Sequence, residues 1–198
     1  ILDSWVGNID SVIQKVKPVP TGTQKGQVFY QSFNNPLFRQ RYPDHQYHMY
    51  VPNHYSAAAP MGLMIWLHGG GSWSTTDIDH LAQYDMDNEL VTGRSYARTE
   101  TDNSNYILVA PIAPFGSVIP HPQHASRWDV PDADQYLMDI ITEIAAKYNI
   151  DYNRVVIAGF SMGGIGAYHQ ALRLNDRLSA VMASAGSWSL GTWDGLKN

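Results

Sequence analysis

Residues 154–166 read RVVIAGFSMGGIG, and this short segment carries two structural signals in a row. Its first part, Arg154–Ala158, is an apolar run typical of a strand that is covered on both faces. The part that follows has helical periodicity, which predicts a helix over Met162–Leu174. Between the two lies a Gly-x-Ser-x-Gly pattern centred on Ser161. The sequence therefore predicts a sharp strand-to-helix turn that presents a serine hydroxyl.

Four glycines surround Ser161, and each of them suits a crowded turn. Gly159 and Gly163 leave room for the backbone, whereas Gly164 and Gly166 let the helix lie close to the sheet. The helix begins at the serine, so its free N–H groups and its dipole favour negative charge there. The alternative is a glycine-rich turn that contains an incidental serine.

The rest of the chain alternates between strand-like and helical patterns. Buried strands that alternate with helices predict an α/β fold, with a mainly parallel sheet and helices on both faces. The first two strands have no predicted helix between them, which indicates an antiparallel hairpin at the edge. Strands are predicted at Gln27–Phe33, His45–Val51, Gly62–Leu67, Tyr106–Ala110 and Leu178–Ala183, and helices at Asp77–Leu90 and Asp132–Tyr148.

The N-terminal segment differs from this pattern. Apolar residues have helical spacing from Leu2 to Val16, and Pro18 and Pro20 then end the helix. We therefore expect an N-terminal extension over residues 1–25 and a single core over residues 26–198.

Composition excludes several classes of protein. The chain has 198 residues, a net charge of -5 and no cysteine, which argues against nucleic-acid binding, disulfide scaffolds and thiol chemistry. No apolar stretch approaches the roughly 20 residues that a membrane span needs. His45 and His48 are three apart on a predicted strand and point to opposite faces. No metal site is expected.

A second motif follows the strand Gly62–Leu67, where residues 68–73 read HGGGSW. Acyl transfer needs two backbone N–H groups that bind the developing oxyanion. One donor would be Met162, directly after the serine. The other would be Gly70 or Gly71, with Ser72 as a further alternative. His68 is expected to hold the turn through hydrogen bonds and not to act as a base.

With these two motifs the sequence resembles the α/β-hydrolases. Within that fold it resembles the esterases that include feruloyl and acetyl-xylan esterases and polyhydroxybutyrate depolymerases. The stretches Trp128–Val130 and Asp151–Val155 are also similar to that group, and the resemblance covers about residues 47–188. It implies hydrolysis of carboxyl esters through an acyl-serine, on carbohydrate-linked or polymeric substrates, without a cofactor.

The loop over Ala113–Val130 is expected to form one wall of the substrate pocket. Trp128 would either stack on a sugar or aryl ring or anchor the loop by packing. Trp73 and His124 are the other candidates for the pocket.

The resemblance also implies two further strands, a base and an acid, and these have no clear counterpart after Ser161, so the α/β-hydrolase core is expected to be incomplete at its C-terminal end. His169 lies eight residues along the same helix, too far from the hydroxyl, and Asp176 falls at the wrong end of the sheet. Asp194 is the candidate acid, because it follows the last predicted strand at the correct end.

Three explanations remain open for the missing base. The chain is a fragment whose C-terminal piece, with the acid and the histidine, is lost or is a separate polypeptide, or it is a shortened homologue without catalysis, or it uses His121 or His124 as the base. For the isolated 198 residues we expect negligible turnover.

Two other functions also remain open, namely an inactive binding protein of the hydrolase fold and a peptidase or acyltransferase. The start at Ile1 and the resemblance favour secretion without establishing it.

Overall fold

The computed structural model describes residues 24–26, 28–42, 46–69, 105–111, 113, 128–129 and 132–186. Its described strands form one six-stranded sheet in the order β1-β2-β4-β3-β5-β6. The strands are β1 (Val28–Ser32), β2 (Gln46–Tyr50), β3 (Met61–Leu67), β4 (Tyr106–Pro111), β5 (Ile150–Phe160) and β6 (Ala180–Ser184). The helices in the described part are α1 (Pro36–Arg41), α2 (Ala133–Lys147) and α3 (Met162–Arg173).

Strands β3 to β6 are all parallel to one another, which confirms the predicted parallel sheet. Leu67 at the end of β3 lies beside Gly159 near the end of β5. Phe160, the last residue of β5, in turn lies beside Ser184 of β6. The carboxyl ends of these strands therefore meet at one edge of the sheet, where this architecture binds ligands.

The N-terminal edge of the sheet is antiparallel, as predicted. Strand β2 pairs antiparallel with both β1 and β4. The expectation of no helix between β1 and β2 is wrong, because α1 lies there. Asn35 caps α1 and accepts a hydrogen bond from the N–H of Leu37 at 3.0 Å, and Pro36 follows it at the first helical position. Phe38 is the only residue of this six-residue helix that is buried, so no helical period could be read there.

The two faces of the sheet carry separate apolar clusters. Leu63, Ile65 and Leu67 of β3 belong to the larger one, which also contains the apolar stripe of α2 and Ala167 of α3. Met64 and Trp66 belong to a smaller cluster with Tyr50, Leu108 and Ala110. Alternate residues of a strand point to opposite faces, so β3 contributes apolar side chains to both clusters.

Several sequence predictions about the fold lie outside the described residues. These are the helices over Leu2–Val16 and Asp77–Leu90, so the division of the chain at residue 25 also stays a prediction. In the described part, no helix is long and apolar enough to cross a membrane. No cluster of metal-ligating side chains occurs within those residues either.

A buried carboxylate on α2 holds the segment before α1. Glu143 is only 3% exposed, and it accepts the N–H groups of Asn34 at 2.7 Å and Asn35 at 3.1 Å. Lys147, one turn further along α2, pairs with Glu143 at 3.0 Å. The Glu143 carboxylate therefore accepts hydrogen bonds from two backbone N–H groups and neutralises the charge of Lys147 in a region with little water.

We expect Glu143→Gln to lower the free energy of unfolding by about 1–2 kcal/mol. The glutamine oxygen can still accept one N–H, but its NH₂ group would face the other, and Lys147 would lose its counter-charge. Urea denaturation measures the change. Asp176→Asn is the control, because Asp176 and its partner Arg177 are both mostly exposed. Equal midpoints for the two variants would contradict the role given to Glu143.

Candidate active site

Ser161 lies at the turn between β5 and α3 in a conformation that L-residues rarely adopt. Its φ is 55° and its ψ is -116°, which are the angles of the first central residue of a type II′ turn. Glycine dominates that position, and a side chain there costs on the order of 1–3 kcal/mol. The predicted strand-to-helix turn at the serine is therefore present, and it is strained.

The glycines around Ser161 allow backbone segments to approach very closely. A Cβ atom on Gly163 would lie 1.9 Å from the carbonyl oxygen of Leu67, and one on Gly159 would lie 2.3 Å from that of Gly163. Both contacts are far shorter than any real carbon contact. Helix α3 can therefore start against the end of β3 only because these two positions have no side chain.

The end of β6 supports the turn from the other side. The N–H of Ser161 donates to the carbonyl of Ser184 at 2.9 Å. A Cβ on Gly164 would lie 2.4 Å from the same carbonyl oxygen. Three neighbouring parallel strands, β3, β5 and β6, thus hold the backbone of the serine. The contribution of Ser184 uses only a backbone atom, so no sequence signal could have found it.

The loop after β3 reaches Ser161 directly. A Cβ built on Gly69 would lie 3.6 Å from the Cβ of Ser161 and 3.5 Å from the carbonyl oxygen of Phe160. The two glycine motifs of the sequence are therefore neighbours at the same edge of the sheet. Gly70 and Gly71, the predicted oxyanion donors of this loop, lie outside the described residues.

Helix α3 supplies free amides beside the serine. The N–H of Ile165 donates to the carbonyl of Ser161 at 3.0 Å, so this is where the helical hydrogen bonds begin. The N–H of Met162 belongs to the first turn and has no carbonyl one turn earlier in the helix. These amides and the helix dipole can stabilise an oxygen that becomes negative next to Ser161.

His68 is buried, with 3% of its surface exposed, and both of its ring nitrogens are engaged. Nε2 accepts the N–H of Ala113 at 3.0 Å, so the ring proton lies on Nδ1, which donates to the carbonyl of Gly69 at 2.8 Å. Burial lowers the pKa of His68 below its ordinary value of 6.5, and the hydrogen bond to Gly69 opposes this shift. The ring is thus a neutral structural group, as expected from the sequence.

The lowered pKa of His68 has a consequence for stability. In the unfolded chain its ring binds a proton near pH 6.5, whereas the folded protein keeps it neutral to a lower pH. The contribution of neutral His68 to the free energy of unfolding is complete above pH 6.5. It is lost as the pH falls towards the lowered pKa that His68 has in the folded protein. We therefore expect acidification from pH 7.5 to 5.5 to destabilise the wild type more than His68→Gln in urea denaturation. An equal loss of stability in the wild type and in His68→Gln would contradict the lowered pKa of His68.

Trp128 corrects a sequence prediction. Its side chain is fully buried, so it cannot stack on a sugar or aryl ring, and the alternative role as a packing anchor applies. Its Nε1–H donates to the carbonyl of His68 at 3.0 Å. A Cβ on Gly166 of α3 would lie 2.2 Å from the Cβ of Trp128, so the tryptophan lies directly against that helix.

The other candidates for catalysis are separated from Ser161 or lie outside the described residues. His169 is on α3, about 12 Å along the helix axis from the serine. Asp176 lies in the turn that leads into β6, at the opposite end of the sheet, and pairs with Arg177. The predictions for Trp73, His121, His124 and Asp194 fall on residues that are not described.

A protein-family comparison matches most of the chain. The family model described as "Putative esterase" matches residues 43–195. A curated relative is the bifunctional acetylxylan esterase/xylanase XynS20E of Neocallimastix patriciarum, which is 26% identical over 141 residues. That alignment covers 70% of this chain and 17% of the relative.

Solved structures share the fold at low sequence identity. A thermostable esterase has a TM-score of 0.61 at 18% identity, covering 86% of this chain and 44% of that one. A mutant feruloyl esterase module from Clostridium thermocellum, complexed with sinapinate, has a TM-score of 0.61 at 14% identity, with coverages of 89% and 60%. An acetyl xylan esterase from Aspergillus awamori has a TM-score of 0.51 at 17% identity, with coverages of 80% and 53%. The chain therefore spans about half the length of these structures.

Proposed function

The chain belongs to the Esterase family and has the α/β-hydrolase fold, and on this premise we propose that it is a serine carboxyl-ester hydrolase with Ser161 as the nucleophile. One observation carries the proposal. Ser161 is held at a φ of 55°, where glycine would be more stable, at the start of a helix. Strain of this kind persists at functional sites because it orients a reacting group.

The proposed reaction has two steps. The Ser161 oxygen attacks the ester carbonyl, its proton passes to a base and then to the departing alcohol, and an acyl-serine remains. Water then attacks the acyl-serine and releases the carboxylic acid with the serine regenerated. The N–H groups of Met162 and of Gly70 or Gly71 would bind the oxyanion of both tetrahedral intermediates.

The identity of the base is part of the proposal. A serine hydroxyl is a weak nucleophile until a neighbouring group takes its proton. His121 and His124, which follow β4 in the sequence, are the candidate bases within this chain, and Asp194 is the candidate acid. The variants His121→Ala and His124→Ala test each histidine separately, because loss of turnover in one of them alone would assign the base.

The relatives support a proposal for the substrate class. An acetylxylan esterase and a feruloyl esterase module are among the proteins that this chain resembles. We therefore propose esters of short or aromatic acyl groups, linked to a carbohydrate, as substrates, with Trp73 and His124 as candidates for the pocket.

The test uses the protein expressed from its complete gene. A fluorophosphonate probe is expected to label Ser161, identified by peptide mass spectrometry, and the same protein is expected to hydrolyse p-nitrophenyl acetate and acetylated xylan. A folded protein that is not labelled at Ser161 would overturn the proposal. Binding of the carbohydrate without any turnover would favour the inactive binding protein, and cleavage of amides over esters would favour a peptidase.

A further inference from the structure

The hydrogen bonds around His68 connect three segments that are far apart in sequence. The Nε1–H of Trp128 donates to the His68 carbonyl, 60 residues away, and the N–H of Ala113 donates to Nε2 of its ring, 45 residues away. The rings of Trp128 and His68 also meet edge to face, with centroids 5.2 Å apart. These contacts fix His68 through both its main chain and its side chain.

The same two side chains connect the β3 loop to α3. The Nδ1–H of His68 donates to the carbonyl of Gly69. A Cβ built on Gly69 would lie 3.6 Å from the Cβ of Ser161. Trp128 lies against Gly166, one turn and a half into α3 from the serine. A single buried indole therefore contacts both the helix that starts at Ser161 and the residue that begins the glycine loop.

We propose that Trp128 and His68 form a positioning pair, which holds the Gly69 turn at a fixed place relative to Ser161. This inference rests on the proposed function, since the turn leads into the predicted oxyanion donors. Neither residue is a catalytic residue, because both are buried and their polar atoms are engaged with protein groups. Their effect on turnover would pass through the backbone of the turn.

Trp128→Phe tests the pair, since it removes the Nε1–H donor and keeps an aromatic ring in the core. Tyr136→Phe is the matched control, because Tyr136 is a fully buried aromatic residue of the same apolar cluster and also loses one polar atom. The first measurement is amide hydrogen exchange. We expect exchange at residues 67–69 to be at least about 10-fold faster in Trp128→Phe, with β5 unchanged. In the control Tyr136→Phe, amide hydrogen exchange at residues 67–69 is expected to be as slow as in the wild type.

The second measurement separates positioning from a merely structural role. In the protein expressed from its complete gene, we expect kcat for p-nitrophenyl acetate to fall by about 10-fold or more in Trp128→Phe, with KM changed by less than about 3-fold. A role limited to stability would lower the melting temperature and leave kcat per folded molecule unchanged. If Trp128→Phe does not fold, His68→Gln replaces it, because the glutamine carbonyl can take the place of Nε2 as acceptor for Ala113, whereas no glutamine atom takes the place of the Nδ1 donor to Gly69.

The two measurements distinguish failure of this inference from failure of the proposed function. Unchanged exchange at residues 67–69 overturns the positioning pair whether or not the protein is an esterase. Faster exchange with unchanged kcat, in a protein whose turnover depends on Ser161, overturns it as well. A wild type without Ser161-dependent hydrolysis overturns the proposed function, and the exchange result then decides whether the pair holds the turn.

Discussion

In the protein expressed from its complete gene, we expect Ser161→Gly to abolish ester hydrolysis and, at the same time, to make the folded protein more stable. Removal of the nucleophile should lower kcat by about 10⁴-fold or more. Glycine also relieves the cost of a side chain at a φ of 55°, which exceeds the entropy that glycine adds to the unfolded chain. The free energy of unfolding should therefore rise by about 1 kcal/mol, as measured by urea denaturation.

Ser161→Ala separates the two effects. Alanine lacks the hydroxyl but keeps Cβ, so this variant should be as inactive as Ser161→Gly and gain no stability. Ser32→Ala, at an exposed position of β1, controls for loss of a serine hydroxyl and should remain fully active. Hydrolysis that survives in Ser161→Ala would refute the nucleophile. Equal stability of Ser161→Ala and Ser161→Gly would refute the backbone strain at residue 161.

The second large effect is expected from Gly163→Ala. Its new Cβ would lie 1.9 Å from the carbonyl oxygen of Leu67 and 2.8 Å from that of His68. Both atoms belong to the backbone and cannot turn aside, so α3 must move away from β3. We expect a loss of about 3 kcal/mol or more in the free energy of unfolding. The shift of Ser161 should also lower kcat by roughly 100-fold in the folded fraction.

Gly69→Ala is the matched control for stability. A Cβ on Gly69 would have its nearest neighbour at 3.5 Å, which is an ordinary contact. This variant should be as stable as the wild type or slightly more stable, since alanine restricts the unfolded chain. Gly163→Ala is therefore expected to lower the free energy of unfolding, whereas Gly69→Ala is expected to leave it unchanged or to raise it slightly. Thermal unfolding of both proteins checks this, and a Gly163→Ala protein with the wild-type midpoint would contradict the close packing.

The parts of the fold that the sequence predicted are those with strong periodicity. The apolar run of β3 and the helical stripe of α2 are long enough to stand out, and both form as expected. Helix α1 was missed because it has six residues and only one buried side chain. Strand β5 begins earlier than predicted, at Ile150, which pairs with Met61 of β3. Residues 151–154 follow in an irregular part of the pairing, and they include polar residues that hid the start of the strand in the sequence.

At the site, local motifs were predictable and directions of side chains were not. The strained turn at Ser161 and its closeness to the loop of Gly69 follow from glycine spacing and parallel strands. The burial of Trp128 does not, because a tryptophan beside a loop can point to solvent or to the core. Glu143 gave no signal either, since the two backbone N–H groups that it accepts lie more than 100 residues away.

That separation along the chain also matters during synthesis. Asn34 leaves the ribosome 109 residues before Glu143, the group that accepts its N–H. At roughly 5–20 residues per second this is an interval of about 5–20 s. Helix α1 is too short to be stable alone, and during this interval Phe33 lacks its contact with Tyr136 of α2. Translation speed and chaperone binding over this interval should therefore influence the yield of folded protein.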